Sequence, residues 1–342
     1  MSHDALLDAV AESPNDDGPR QVFADWLLQQ ADEVMRARGE YISLACSTAR
    51  STQRTSRMEE LYDRHEEAWI GPIAGITSPE RRVWSRGFLD ACGLERGNPG
   101  AVERALGSPV WRTLRLLETL GSELPSEDLV RLICQPALSG LRSLSTHQAC
   151  IAPIAESAHM PRVKELAVAP SSGTSPVELF RLLRADCFAN LRRLHVFGCS
   201  PQHAGLVMRS GLTLVTVTSP RLLDRWIVEL DERSATFAEV RLVSSGFPLL
   251  ARHGIELILR PEDGRWSTLE IRWTNVRTEA GDDDKPKLRD EVIRTLEQLP
   301  PGRLTRATLV GPASARFDVA RWRTRVITAL RSQVGITIDR AP

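Results

Sequence analysis

The sequence predicts an α/β fold: an irregular leucine-rich-repeat solenoid (horseshoe) with a helical N-terminal cap domain. Three observations predict it. The stretch LRRLHVFGC at 191–199 spaces Leu191, Leu194 and Val196 as in L-x-x-L-x-L and sets Cys199 where such a run carries Asn or Cys. The spacing recurs from Trp111 onward in copies about 18 to 38 residues apart, mostly in the twenties, near the 20 to 29 typical of such repeats. Between the copies lie segments whose apolar residues follow helical spacing. Units this small cannot bury their own apolar faces, so they must stack, with parallel strands on the concave side and helices outside.

Composition narrows the classes. A chain of 342 residues with 42% hydrophobic content supports a sizeable core. Its 44 basic and 44 acidic side chains cancel, which gives no default attraction to nucleic acid or to an anionic membrane. The sequence holds no run of about 18 apolar residues, the length a spanning helix requires. Its start, MSHDALLDAVAESPNDDGPR, has neither a basic n-region nor an apolar h-region, so a cytoplasmic location is expected. Cys46, Cys92, Cys134, Cys150, Cys187 and Cys199 are scattered along a chain too large to need stapling, as reduced and mostly buried thiols would be.

At the N-terminus, DALLDAVAESP (4–14) places Leu6, Leu7, Val10 and Ala11 on one helical face and stops at Pro14. After the turn-forming NDDGP, Val22, Phe23, Trp26 and Leu27 repeat that spacing, and a third helical run extends from about Glu33 through Leu61. Asp25, beside Trp26, suits a structural carboxylate with Arg38 and Glu40 as neighbours. Gly87 and Phe88 open a strand-like run that would form the first edge of the array.

VFADWLL (22–28) followed by RGEYISL (38–44), after the start DALLDAV, resembles the bacterial repeat-companion domain. HEEAWIGPIAG (65–75) and WSRGFLDACGLE (84–95) resemble the W-L-G-P-L and R-R-G-F segments of its relatives, so the resemblance covers roughly the first 95 residues. QQADEVMRA departs from it, replacing a shorter E-R-G-D-P-like turn. The resemblance implies a domain that precedes leucine-rich or similar repeats, and it implies no catalytic activity. The expected organisation is a helical repeat-companion-like domain at 1–95, a degenerate repeat solenoid at 96–316 and a capping helix and strand at 317–342.

The template fits Trp111/Leu114/Leu116, Leu141/Leu144/Thr146, Val163/Leu166/Val168, Leu191/Leu194/Val196, Phe237/Val240/Leu242, Trp266/Leu269/Ile271 and Leu304/Ala307/Leu309, with a further copy near Leu212–Leu214. Helical spacing marks 126–136, 175–188, 220–233 and 287–300 between them. The segment 255–273 reads instead as a hairpin about Glu262-Asp263-Gly264, because alternating apolar runs flank a turn signal. Residues 319–333 read as a helix, and GITIDR after it as a short strand.

Candidate chemistry is sparse. Cys187, His195, Cys199 and His203 are the nearest approach to a metal-ligand set, but the spacing is unlike a zinc site, and Cys199 should point into the core while His195 points away. Asp282–Asp284 lack the alternating ligands of a calcium loop. Nucleophile-elbow, phosphate-loop, zinc-protease and kinase patterns do not occur, so no catalytic residue, metal or cofactor is expected.

The expected work is recognition of another protein through the concave strand face, without a membrane, a nucleic acid or a small-molecule substrate. Arginine and aromatic side chains anchor many interfaces, which singles out Arg115, His147, Arg193, His195, Phe197, Arg241 and Arg272 as contact candidates. The alternative is a substrate-recognition or regulatory subunit of an enzyme complex, such as a protease or a bacterial defence system, with a site near Trp69, Trp84 and Asp90.

Overall fold

The structure, a computed structural model, describes residues 2–48, 51–97, 100–157, 163–169, 188–197, 199–201, 211–217, 220–232, 237–243, 255–273, 285–310, 317–331 and 337–340. Contacts divide the chain into two units, Met1–Lys164 with Ala185–Asn190, and Glu165–Arg184 with Leu191–Pro342.

The first unit begins with helices α1 (His3–Glu12), α2 (Asp17–Leu28), α3 (Glu33–Cys46) and α4 (Thr52–Ile70). Each starts where a side-chain oxygen accepts an otherwise unpartnered backbone N–H: Ser2 from Ala5, Asp16 from Gly18, Asp32 from Met35 and Ser51 from Arg54. Such caps contribute about 1 kcal/mol each. The run expected from Glu33 to Leu61 is thus two helices, because serine and threonine hydroxyls near 47–52 compete for backbone groups and Ser51 caps a new start.

Helix α3 is buried on two sides. Ile42 and Cys46 pack with Leu6, Leu7, Val10, Phe23, Leu27 and Phe88, while Ala37 faces Leu61 and Trp69. Trp69 Nε1 donates to the Val34 carbonyl at 3.1 Å. Glu40 engages Arg57 at 2.7 Å, and Asp25 is exposed, so the three residues grouped by the sequence serve separate contacts.

Strands β1 (Val83–Ser85) and β2 (Phe88–Gly93) pair antiparallel across Arg86-Gly87, both at positive φ (51° and 87°), the signature of a type I′ turn. The edge strand is therefore β1, and β2 lies inside it. Strand β2 pairs parallel with β3 (Leu116–Glu118), and β3 with β4 (Ser143–His147). Helices α5 (Ala101–Ala105), α6 (Ser126–Ile133) and α7 (Ile151–Glu156) complete this unit.

In the second unit β5 (Glu165–Ala169), β6 (Arg193–Phe197), β7 (Thr213–Val217) and β8 (Glu239–Val243) are parallel. β9 (Ile255–Glu262) runs antiparallel to β8 and to β10 (Arg265–Trp273), and β11 (Arg306–Val310) and β12 (Thr337–Arg340) resume the parallel direction. The expected hairpin is present, with Asp263 and Gly264 at φ 50° and 78°. Helices α8 (Leu223–Glu232), α9 (Lys285–Gln298) and α10 (Phe317–Arg331) belong to this unit.

Register aligns Leu166, Leu194, Leu214, Val240, Leu259, Leu269 and Ala307 in one row, all fully buried. Two residues on, Val168, Val196, Thr216, Leu242, Leu257, Ile271 and Leu309 form a second buried row. Alternate residues occupy the opposite face, as strand geometry requires.

The α/β expectation holds only at the level of class. The leucine-rich-repeat horseshoe is overturned by open, mostly parallel sheets interrupted by antiparallel strands. A solenoid turn must return the chain in one direction, and the reversals at Arg86-Gly87 and Asp263-Gly264 do not. The first copy is also displaced: β3 pairs Leu117 with Leu144, so the Trp111 triplet sits three residues out of register, and Leu117, outside that triplet, is fully buried.

Most of the helix expected at 175–188, together with Cys187, His203 and Asp282–Asp284, lies outside the described residues. No helix among the described residues is long and apolar enough to cross a membrane.

Gly39 tests the crossing of α2 and α3, since a Cβ there would lie 2.8 Å from the Ala24 carbonyl oxygen. Alanine normally favours a helix interior over glycine by about 1 kcal/mol. Gly39→Ala should instead destabilise by roughly 1–3 kcal/mol in urea unfolding, as overpacking does; a stabilised variant would exclude this close approach.

Candidate functional site

The face of the second unit opposite its aliphatic rows carries charge in a register set by the strands. Glu165 of β5 stands beside Arg193 of β6, and Thr213 beside Glu239. The next row runs Ala167, His195, Val215, Arg241, Ile258, Glu270 and Thr308. Within it Ala167, His195, Val215, Ile258 and Glu270 are buried, so this face is more than a solvated surface.

Buried acids need partners, and the arginines supply them. Glu239 accepts from Arg241 Nε at 2.6 Å and from Arg260 Nε at 3.0 Å. Arg260 reaches on to Glu270 at 2.7 Å, and Arg272 donates to the other oxygen of Glu270 at 3.0 and 2.6 Å. Arg241 also approaches Glu256 at 3.5 Å, and Arg306 approaches Glu262 at 3.2 Å. The result is a continuous chain, Arg241–Glu239–Arg260–Glu270–Arg272, across β8, β9 and β10. Isolated surface pairs contribute about 0–1 kcal/mol, but planar guanidinium groups shared between carboxylates are held in fixed orientation.

The carboxylates lie beneath and the guanidinium groups above. Glu239 and Glu270 side chains are 12% and 10% exposed, against 36% for Arg260, 38% for Arg272 and 44% for Arg193. Arg241 is more enclosed, and Phe197 is half-buried at the end of β6. His195 is only 5% exposed, with Nε2 donating to Glu165 Oε1 at 2.8 Å, so it supports this face from within. Arg193 reaches the same Glu165 oxygen at 3.1 Å.

Thus Arg193, His195, Phe197, Arg241 and Arg272 share one face. Arg115 and His147 belong to the first unit, where Arg115 is paired with Asp90 and His147 closes β4. Sequence reading missed Arg260 because it falls in the first arm of the hairpin, outside the repeat template. The alternation in IELILRPE was the available signal, since it sets Glu256, Ile258 and Arg260 on one side.

The thiols are poorly suited to chemistry. Burial pushes Cys92 and Cys199 up to about 12 and Cys46 to about 11, which holds them protonated at neutral pH. Among the described residues no group of three or more His, Cys, Asp or Glu is placed to hold a metal ion. No protein-family model matches this chain, and no curated protein matches it.

Glu165 gives a pH test. Burial acts to raise its carboxyl, but the hydrogen bond and charge of His195, with Arg193, outweigh this and hold it at about 2, below its ordinary 4.5. A depressed carboxyl contributes stability that is complete above 4.5 and is lost as the pH falls towards 2. Glu165→Gln should therefore unfold at lower urea than the parent at neutral pH, with the two midpoints converging through that window. A gap that stays constant with pH would show that the Glu165 charge contributes nothing.

Proposed function

We propose that this chain is a cytoplasmic, non-catalytic recognition protein that binds another protein through the charged strand face of its second unit. The observation that carries this reading is the layered Arg–Glu chain, in which acids buried below hold arginines exposed above. Guanidinium groups already fixed by their carboxylates lose little freedom on docking and keep N–H edges for a partner. The chemistry they fit is a protein surface offering carboxylates and backbone carbonyls.

Charge balance favours protein over nucleic acid as the partner. The acids Glu165, Glu239, Glu256, Glu262 and Glu270 match Arg193, Arg241, Arg260, Arg272 and Arg306 in number, leaving no surplus to neutralise phosphates. Specificity would come from the order of charges along the strands.

Tagged full-length chain should capture a protein from the cytoplasm of its own cell, and the recovered partner should then bind Arg193→Glu or Arg272→Glu about thirty-fold more weakly, the loss typical of an arginine anchor. Phe197→Ala should weaken it less. Unchanged affinity in both arginine variants, with unaltered circular dichroism, would exclude this face as the binding surface.

A further inference from the structure

The first unit holds a different kind of site. A cavity of about 340 Å³ is lined by Arg20, Arg112, Arg115, Arg142 and Lys164, with Asp90 as the acid among them. Its volume lies within the range of small-molecule pockets. Topology gathers these residues: Arg115 N–H donates to the Asp90 carbonyl at 2.8 Å, Arg142 N–H to the Arg115 carbonyl at 2.8 Å, and Lys164 N–H to the Arg142 carbonyl at 2.7 Å. Consecutive basic residues therefore stand on adjacent backbone segments, roughly one strand spacing apart.

Part of this charge is already answered. Arg115 pairs with Asp90, and Arg112 with Asp4 and Asp8 at 3.3 and 3.1 Å. Even counting those three acids, cations remain in excess by two. Arg142 and Lys164 enter no ion pair among the described residues, and there the Arg142 guanidinium makes only a long 3.5 Å contact, with the adjacent Leu141 carbonyl.

Arg20 is 5% exposed and has no carboxylate within ion-pair distance among the described residues. Its terminal nitrogens donate to the Pro14 and Asp16 carbonyls at 2.7 and 2.5 Å, and its Nε is buried without a partner among the described residues. A buried, incompletely satisfied guanidinium beside two further cations is costly unless an anion completes the set.

We propose that this cavity binds the phosphate or pyrophosphate group of a small phosphorylated molecule, with Arg142 and Lys164 as its principal ligands and Arg20 at its wall. Guanidinium forks suit phosphate oxygens. This site is independent of the strand face in the second unit, so either can fail alone.

The test is calorimetric titration of the full chain with inorganic pyrophosphate at about 0.15 M salt, where weak surface attraction is screened. One saturable site is expected, weakened roughly ten- to hundred-fold in Arg142→Gln/Lys164→Gln, as loss of charge-assisted hydrogen bonds predicts. Lys164→Gln alone, at an exposed position, should give a smaller loss in the same direction. Arg131→Gln, a cation paired with Glu103 away from the cavity, should bind as the parent does. Absence of saturable binding, or equal loss in Arg131→Gln, overturns the proposal. So does an RNA oligonucleotide that binds more tightly than pyrophosphate with a steep salt dependence.

Discussion

Two rows of aliphatic side chains withdrawn from water determine the rest of the second unit. Leu166, Leu194, Leu214, Val240, Leu259 and Leu269 lie in register across six strands, and a strand can turn only alternate residues to one side. Slipping β8 or β10 by one residue would exchange its aliphatic set for Glu239 and Arg241 or for Glu270, so the register there is held by the cost of burying charge. The same constraint lines up the charged residues opposite. Their lattice is a consequence of the core.

The first unit uses the same device with a different outcome. Parallel pairing again brings successive basic residues side by side, here Arg115, Arg142 and Lys164. In the second unit a glutamate separates neighbouring arginines; here Asp90 answers Arg115 and, among the described residues, nothing comparable answers the next two. An interleaved row satisfies itself and offers edges to a partner, whereas a row of one sign leaves a field that an anion must complete. One backbone arrangement thus produces a balanced surface and a basic cavity, and the choice between them rests on a few side chains.

What the sequence made legible was whatever depends on neighbours along the chain. Leu194 and Val196 declare a strand by alternation, Glu262-Asp263-Gly264 declares a turn, and both stand where expected. The displaced Trp111 copy shows the limit. Leu114 and Leu117 share the same three-residue interval as Trp111 and Leu114, so spacing alone could not say which pair faces Leu141 and Leu144, and only pairing with β4 decides it. The horseshoe expectation fails for a related reason: recurring triplets reveal strands but not the direction in which each returns. Arg20 meets Arg142 and Lys164 only through folding, so no window of sequence contains the cavity.

The Arg-Gly dipeptides at 38–39 and 86–87 explain one another physically. Gly39, after Arg38, lets α3 approach the Ala24 carbonyl, and Gly87, before Phe88, leaves no room for a side chain because a Cβ would fall 2.3 Å from Ile42 of the same helix. With both approaches closed, the Arg38 guanidinium lies 5.5 Å from the Phe88 ring centre and 6.0 Å from that of Phe23, while Arg20 approaches Phe88 at 5.7 Å. Burial lowers Arg38 to about 10, still charged at neutral pH, and its Nε has no hydrogen-bond partner among the described residues. Contact with an aromatic face is worth up to about 2 kcal/mol when water is excluded. Phe88 is therefore the apolar centre of α1, α2 and α3 and also the counterpart of two cations, buried Arg20 and half-buried Arg38, so a leucine there would keep the packing and forfeit the electrostatics. Since Arg20 and Phe88 also line the basic cavity, the helical core and that cavity share a wall, and the ring that steadies Arg38 helps to fix Arg20.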